Sequence, residues 1–369
     1  MKYMKRAAKL AEKGRGYTNP NPVVGAVIVK DGRVIGEGYH EVIGGLHAER
    51  NALASCSEDP QGADMYVTLE PCCHYGKTPP CTEAIIENRI GHVYVGSGDP
   101  NPLVAGKGIA ILRRAGISVT ENVMKEKCDE LNKVFFHYIK TGMPYVTLKY
   151  AMTADGKIAS FSGKSKWITG EEARKDVHRL RHENAAIMVG IGTVLADDPL
   201  LNCRIENGKD PVRVICDTHL RIPSDSQIVG TAGEIKTIIA VGEEAATDEG
   251  ASKKIDVLKR AGCRIAKMQE KNGHVDIAQL FGFLGKEQLD SLLIEGGGRL
   301  AWSAVESGLV DRVTAYTAPK IFGGEAAKTP VEGRGFESPQ QAAEMEVTDI
   351  KMLGRDIMTE YEVKKCSRE

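Results

Sequence analysis

Four residues constrain this chain more than any others: His47 and Glu49, two apart, then Cys72 and Cys81, nine apart, beyond a predicted strand. One imidazole and two thiolates supply three of the four donors of a tetrahedral zinc site, so the fold has to bring two separated segments within reach of one ion. Residues i and i+2 do not share a helix face. His47 and Glu49 must therefore sit where the chain enters a helix, in its first turn, for both to face one point. Three protein donors leave the fourth position open to water, whose pKa falls from about 15.7 towards about 7 on zinc.

H-x-E followed by P-C and a further cysteine is the zinc-deaminase signature, in which the glutamate carries protons and is not a ligand. Here the second half departs from P-C-x-x-C, because Cys73 to Pro80 intervene between Pro71-Cys72 and Cys81. Cys73 adjoins Cys72, and Cys72 is preferred as the ligand because it directly follows Pro71. The competing reading is a closed structural site with His74 as fourth ligand. Closed sites usually use paired C-x₂₋₄-C knuckles, and a closed site leaves Glu49 without a purpose.

A chain of 369 residues has room for two or three domains. Its 49 basic and 50 acidic residues give no general attraction for nucleic-acid phosphates or an anionic membrane. A base deaminase acting on RNA would show a basic face with interleaved aromatics, which 5% aromatic content and balanced charge disfavour. Cys56, Cys128, Cys203, Cys216, Cys263 and Cys366 are scattered singly, and no secretory leader is recognisable, so a reducing cytoplasm is expected. No apolar run approaches the roughly 20 residues of a membrane span.

Short β-rich runs alternate with helical patterns. An amphipathic N-terminal helix (Met4, Ala7, Ala8, Leu10, Ala11) precedes strands over 23–29 and 33–39, which flank the hairpin signal Asp31-Gly32. A helix over 48–56, a strand over 65–69, a helix over 82–88 and a strand over 92–95 follow. Next come a helix ending near Ala115-Gly116, a strand over 117–120 and one long helix over 125–140. Gly142 and Pro144 mark a break, which divides the chain into domains over 1–143 and 144–369.

The second half carries strands over 145–150, 186–189, 212–216, 237–241, 264–267 and 291–294, a helix over 171–183, and a closing hairpin of 350–353 and 357–363. Both halves read as α/β, sheets covered by helices. Glu295-Gly296-Gly297-Gly298 follows a buried-looking strand and opens a helix, where glycines let a phosphate approach free N–H donors. It is not G-x-G-x-x-G in a first βα unit, so a standard Rossmann fingerprint is absent.

Other polar clusters have a plain alternative. Lys149, Thr153, Asp155, Gly156 and Lys157, followed by Ser165, Trp167 and Thr169, suit a polar ligand or a solvated turn. Gly190, Gly192 and Thr193 read as a Gly-rich turn ending a strand, before Asp197, Asp198, Pro199, Leu201 and Arg204; nucleotide contacts compete there with an ordinary loop. His40 and His74 lie beside the zinc motif. His92, His137, His178, His182, His219 and His274 read as surface or core residues.

Taken in order, Asn19-Pro20-Asn21-Pro22-Val23-Val24-Gly25, His47-Ala48-Glu49, the run from Thr68 through Cys81, and Gly98-Asp99-Pro100-Asn101-Pro102 closely resemble the bifunctional deaminase/reductase family of riboflavin biosynthesis. The likeness continues through Asp155-Gly156-Lys157, Ser165-Lys166-Trp167-Ile168-Thr169, Gly192-Thr193-Val194, Asp198-Pro199 and Glu295-Gly296-Gly297. It covers nearly the whole chain. Cys73 departs from it, standing where the family usually has Ser.

The resemblance implies a cytidine-deaminase-like αβα domain followed by a dihydrofolate-reductase-like α/β domain. It implies zinc-dependent hydrolytic deamination of 2,5-diamino-6-(5-phosphoribosylamino)pyrimidin-4-one, then NADPH-dependent reduction of the ribosyl chain to ribityl. By position, Glu49 would be catalytic and His47, Cys72 and Cys81 the zinc ligands. Asn21 would contact the pyrimidine, His40, His74 and Lys77 the 5-phosphate, and Asp99 and Asn101 would line the same pocket. In the reductase half, Lys149, Ser165, Arg181, Leu201, Arg204 and Glu295 match substrate positions, while Ala151, Trp167, Thr169, Thr193, Asp197, Gly297 and Gly298 match the cofactor side. The partner expected is a small phosphorylated pyrimidine, with no nucleic acid and no membrane, in a cytoplasmic homo-oligomer that the resemblance makes a tetramer.

Overall fold

The computed structural model describes residues 1–76, 78–247 and 249–364. The chain divides into two compact units, Met1–Gly142 and Met143–Glu369. The first unit runs α1 (Lys2–Ala11), β1 (Gly25–Lys30), β2 (Arg33–Tyr39), α2 (Ala48–Ala54), β3 (Asp64–Leu69), α3 (Cys81–Glu87), β4 (His92–Ser97), α4 (Lys107–Arg114), β5 (Ser118–Thr120), α5 (Lys125–Leu131) and α6 (Lys133–Thr141). Among the described residues its strands form one five-stranded sheet in the order β2-β1-β3-β4-β5. β1 runs antiparallel to β2 and β3, and β3, β4 and β5 run parallel.

The period-two alternation of a strand decides which helix covers which face. Ala26, Ile28, Met65, Val67, Val93 and Val95 pack with Ala48 and Ala52 of α2, Ile85 of α3, and Ile109 and Leu112 of α4. The alternate residues Val27 and Val29 meet Met4 and Ala7 of α1 and Cys128 of α5. The result is an αβα sandwich. The hairpin between β1 and β2 turns on Asp31 and Gly32, both at positive φ (49° and 75°), as a two-residue turn of this hand requires. Gly38 in β2 lets α2 lie directly on the sheet: a Cβ there would stand 2.4 Å from the Ala52 nitrogen and 2.6 Å from the Ala48 oxygen. That close approach sets where α2 begins.

The single helix expected over 125–140 is two helices. Asn132, buried between α5 and α6, accepts a hydrogen bond from Val23 N through Oδ1 (2.9 Å) and donates from Nδ2 to Val23 O (3.0 Å). The break lies in the Asn132 backbone, whose φ of −115° is outside the helical range and whose N–H bonds back to Asp129 O at 3.0 Å, three residues away.

The second unit begins β6 (Tyr145–Thr153), α7 (Glu171–Glu183), β7 (Ala186–Gly190), α8 (Ile191–Asp197), β8 (Val212–Cys216), α9 (Gln227–Gly230), β9 (Thr237–Gly242), α10 (Glu243–Thr247), α11 (Glu249–Arg260) and β10 (Cys263–Met268). It continues β11 (Glu270–Lys271), β12 (His274–Val275), α12 (Ile277–Lys286), β13 (Ser291–Ile294), α13 (Gly298–Glu306), β14 (Arg312–Ala318), β15 (Met345–Leu353) and β16 (Asp356–Val363). Its main sheet is nine-stranded among the described residues, in the order β10-β9-β8-β7-β13-β6-β14-β16-β15. β10 through β14 in that order are parallel, and the β16–β15 hairpin closes the edge antiparallel.

Helices cover both faces of the parallel part, Val177 and Leu180 of α7 lying on one and Leu280, Leu284, Leu300 and Ala304 of α12 and α13 on the other. Strands buried on both faces are continuously apolar, as residues 292–294 and 186–189 are. The turn expected at Gly190, Gly192 and Thr193 is the start of helix α8.

Candidate active site

His47 is the N-cap of α2, with extended backbone (φ −74°, ψ 162°), and Glu49 is the second helical residue. The first-turn placement that the H-x-E spacing demands is therefore met. Cys72 stands three residues beyond β3, and Cys81 opens α3 behind Pro80. His47 Nδ1 lies 3.4 Å from both Cys72 Sγ and Cys81 Sγ. Tetrahedral zinc at about 2.3 Å from sulfur and about 2.0–2.1 Å from nitrogen would set N and S about 3.5 Å apart. The donors thus fit the ion.

Among the described residues, the cluster of donor atoms lying within 4.8 Å of one another is His47, Cys72 and Cys81. His74 and Glu49 stand outside it, as does Cys73, whose Sγ turns to the Leu103 carbonyl at 3.6 Å. The Cys81 N–H donates to Cys72 Sγ at 3.3 Å. The Cys81 thiol beside it holds Cys72 well below the thiol range, and the same contact, with burial, pushes Cys81 well above it. A lowered pKa at Cys72 favours the thiolate form that a soft cation binds.

Glu49 is 3% exposed. Burial, and then the charge of Cys72, push its carboxyl up to about 7. A carboxyl with both protonation states accessible near neutrality suits proton transfer.

The expected pyrimidine side gathers at the same centre. The His40 ring sits 5.3 Å from that of His47. His40 is buried, with Nδ1 3.1 Å from the Leu46 carbonyl, which can only accept; Nε2 is then the acceptor for Asn21 Nδ2 at 3.3 Å. Burial lowers its pKa, which keeps the ring neutral. Both ring nitrogens are engaged within the protein, so the contact with the 5-phosphate expected of His40 gives way to orientation of the Asn21 amide.

His74 Nδ1 is buried and has no hydrogen-bond partner among the described residues, and His74 acts electrostatically on Asp99, whose carboxyl burial pushes up to about 6. Asn101 closes a local turn, its Oδ1 accepting from Leu103 N at 3.0 Å. Lys77 lies outside the described residues.

In the second unit, β13 lies between β6 and β7, with Ile294 paired to Leu148 on one side and Met188 on the other. The carboxyl ends of three parallel strands therefore converge, the usual ligand position in an open α/β sheet. Glu295, just past β13, accepts from Arg181 Nε and Nη2 at 2.8 Å each and from Lys149 Nζ at 3.3 Å. Arg181 also donates to Asn202 O at 2.9 Å, which draws in the segment of Leu201 and Arg204. Leu201 is buried at positive φ (53°), and backbone strain of this kind concentrates at ligand sites. Arg204 is exposed, its Nε 3.2 Å from Asn202 Oδ1.

Ser165 Oγ reaches Asp197 Oδ1 at 3.5 Å. The glycine turn lies against Thr193: a Cβ on Gly296 would stand 3.1 Å from Thr193 Oγ1, and Gly297 holds φ at 89°. That turn opens α13, whose free N–H groups and dipole suit an anionic group such as a dinucleotide phosphate. Ala151 lies on β6 two residues after Lys149. Thr169 is buried, and Trp167 is exposed beneath the Arg174 guanidinium, 4.6 Å from its ring. Gly298 is covered by Glu332, whose Cγ would meet a Cβ there at 2.6 Å.

Burial would raise the Glu295 carboxyl, but Arg181 and Lys149 outweigh it and hold the group at about 2, against an ordinary 4.5. A depressed folded-state pKa gives stability that is complete above the ordinary value and disappears as pH falls through the folded one. The thermal stability of the chain is thus expected to fall progressively from about pH 4.5 to about 2, and Glu295→Gln is expected to flatten that part of the curve. A Glu295→Gln curve parallel to wild type over this interval would contradict the pairing.

Sequence reasoning passed over several neighbours of these sites. Thr78 Oγ1 lies 3.4 Å from His47 Nε2. Asp356, fully buried, accepts from Gly170 N at 2.6 Å and so ties the segment after Thr169 to the edge hairpin. Glu70 accepts three backbone N–H bonds. Thr78 and Glu70 lie inside the motif run quoted above, which is the signal that could have singled them out; Asp356, 186 residues from Gly170, carries none.

Residues 1–97 match the family described as the cytidine and deoxycytidylate deaminase zinc-binding region, and residues 144–359 match the RibD C-terminal domain. The chain is 54% identical to riboflavin biosynthesis protein RibD of Actinobacillus pleuropneumoniae, over 98% of this chain and 94% of that one. It is 39% identical to the protein of that name from Escherichia coli K12, over 96% and 97%. A crystal form of Acinetobacter baumannii RibD superposes with a TM-score of 0.86 at 38% identity, covering 98% of each chain. A diaminohydroxyphosphoribosylaminopyrimidine deaminase/5-amino-6-(5-phosphoribosylamino)uracil reductase from Thermotoga maritima does so with a TM-score of 0.86 at 36% identity, again over 98% of each.

Proposed function

The chain belongs to the riboflavin biosynthesis protein RibD family, and from that premise we propose how its own residues divide the work of two reactions. It is a bifunctional enzyme of riboflavin biosynthesis, with a zinc-binding, cytidine-deaminase-like domain followed by an NADPH-dependent reductase domain. It deaminates 2,5-diamino-6-(5-phosphoribosylamino)pyrimidin-4-one and then reduces the ribosyl chain, giving 5-amino-6-(5-phosphoribitylamino)uracil. In this reading residues 1–143 carry the deamination and 144–369 the reduction.

The observation that carries the deaminase reading is the equal 3.4 Å spacing of His47 Nδ1 from two sulfurs, with Glu49 beside them and outside the donor set. His47, Cys72 and Cys81 would hold zinc, which when bound supplies a Lewis acid and lets water act as a nucleophile at neutral pH. Glu49 holds the proton taken from water and delivers it to the exocyclic amine, which leaves as ammonia. Asn21 presents its amide to the pyrimidine, and His40 reaches the pocket through Asn21. His74 and Lys77 meet the 5-phosphate, and Asp99 and Asn101 close the pocket.

NADPH, when bound, supplies the hydride. Lys149, Ser165, Arg181, Leu201, Arg204 and Glu295 orient the opened sugar; Ala151, Trp167, Thr169, Thr193, Asp197 and Gly297 face the cofactor, whereas the contact expected of Gly298 is taken by the Glu332 side chain that covers it. Hydride transfer depends on this orientation more than on a strong acid. No helix among the described residues is long and apolar enough to cross a membrane. A cytoplasmic homo-oligomer, a tetramer, completes the proposal on the strength of family membership.

Zinc-loaded protein is expected to release ammonia from the diaminopyrimidine phosphate, and to oxidise NADPH only when the deaminated product is present. No ammonia would remove the first assignment. Equal turnover with NADH, or oxidation driven by the undeaminated compound, would remove the second.

A further inference from the structure

Glu70 is 4% exposed and lies between the last residue of β3 and Pro71-Cys72. Its partners are main-chain N–H groups: Oε2 accepts from Gly106 at 2.9 Å and Asp99 at 3.4 Å, and Oε1 accepts from Ile109 at 3.2 Å. Gly106 and Ile109 belong to the start of α4, where free N–H groups and the helix dipole favour a negative charge. Pro71 is tied to the same turn. A Cβ on Gly108 would stand 2.1 Å from the Pro71 carbonyl oxygen and 3.3 Å from Glu70 Oε1, so α4 approaches this segment as closely as a glycine allows. From Asp99 the order is passed on: its Oδ1 accepts from Asn101 N at 2.8 Å.

One buried carboxylate therefore joins three parts of the deaminase: the segment that carries zinc ligand Cys72, the first turn of α4, and the loop of Asp99 and Asn101. A helix cap alone needs only the contacts to Gly106 and Ile109. The bond to Asp99 N is the additional one, and it ends on the loop that the proposed function puts against the substrate.

We propose that Glu70 is a positioning residue for deamination, fixing the Asp99–Asn101 loop relative to the zinc segment so that the pocket keeps its width. This rests on the deaminase assignment, which wild-type ammonia release tests separately. Glutamine at this position keeps the shape but removes the charge and replaces one oxygen by an N–H₂, so either the bonds to Gly106 and Asp99, which share Oε2, are lost together or the Oε1 bond to Ile109 is lost, and the acceptor that remains is uncharged.

The test is Glu70→Gln in the full-length, zinc-loaded chain, with zinc content, deaminase KM and kcat, and NADPH oxidation on deaminated product all measured. The expected result is unchanged zinc, unchanged NADPH oxidation, kcat within about threefold, and a deaminase KM raised about tenfold, the scale of one charged hydrogen bond. Glu70→Asp, which keeps the charge but falls one methylene short, is expected to show a smaller rise in KM and to serve where the glutamine variant does not fold. An unchanged KM would overturn the proposal. Loss of zinc would overturn it too, by showing that Glu70 serves the metal segment, as would failure of both variants to give folded protein, which would make it a fold residue only.

Discussion

Glu49→Gln is expected to lower deaminase turnover by about 10²–10⁴-fold, the usual contribution of a positioned proton carrier, while zinc content and NADPH oxidation stay at wild-type levels. Glutamine matches the shape of the buried side chain but cannot take a proton. Zinc should remain because Glu49 lies outside the cluster of His47, Cys72 and Cys81. NADPH oxidation should remain because the reductase residues lie in the other compact unit. Elemental analysis decides the point: loss of metal in the variant would make Glu49 a ligand.

The second large effect is expected at Cys81. Substitution by alanine removes one of the three residues proposed to hold zinc, and removing even an outer partner of a zinc ligand typically costs about 10–100-fold in affinity or activity. Cys81→Ala is therefore expected to purify without zinc and to release no measurable ammonia, with NADPH oxidation again intact. Cys73→Ser is the control. Its thiol turns to the Leu103 carbonyl and not to the cluster, so metal and turnover should survive. Zinc retained in Cys81→Ala, or lost in Cys73→Ser, would assign the ligands wrongly.

Much of the first unit is legible in local sequence because its signals are local. Asp31-Gly32 announces a turn that only residues tolerant of positive φ can make, and the H-x-E spacing forces a helix entry at His47. The expected helix over 125–140 is two helices, and what holds Asn132 at the break is non-local: its side chain bonds both main-chain groups of Val23, 109 residues away. In the second unit β14 is absent from the expected strands although Val313, Tyr316 and two threonines favour one; what settles Arg312–Ala318 as a strand is its pairing with β6 and β16. α12 went unnoticed although Asp276 is a cap that sequence can show, its carboxylate accepting from Ala278 N and Gln279 N; two glycines blur the helical pattern that follows.

The sites divide the same way. The zinc donors are fixed by residue type and spacing, whereas the Glu295–Arg181–Lys149 cluster joins positions 114 and 146 residues apart and becomes visible only once the parallel strands lie side by side.

The central claim is a zinc centre with two sulfurs, one protein nitrogen and one open position. X-ray absorption at the zinc edge of the loaded protein tests it most directly. The account predicts two sulfur neighbours at about 2.3 Å and two lighter neighbours at about 2.0–2.1 Å, with the same spectrum in Glu49→Gln. Three sulfur neighbours, or a coordination shell that changes when Glu49 is replaced, would contradict it.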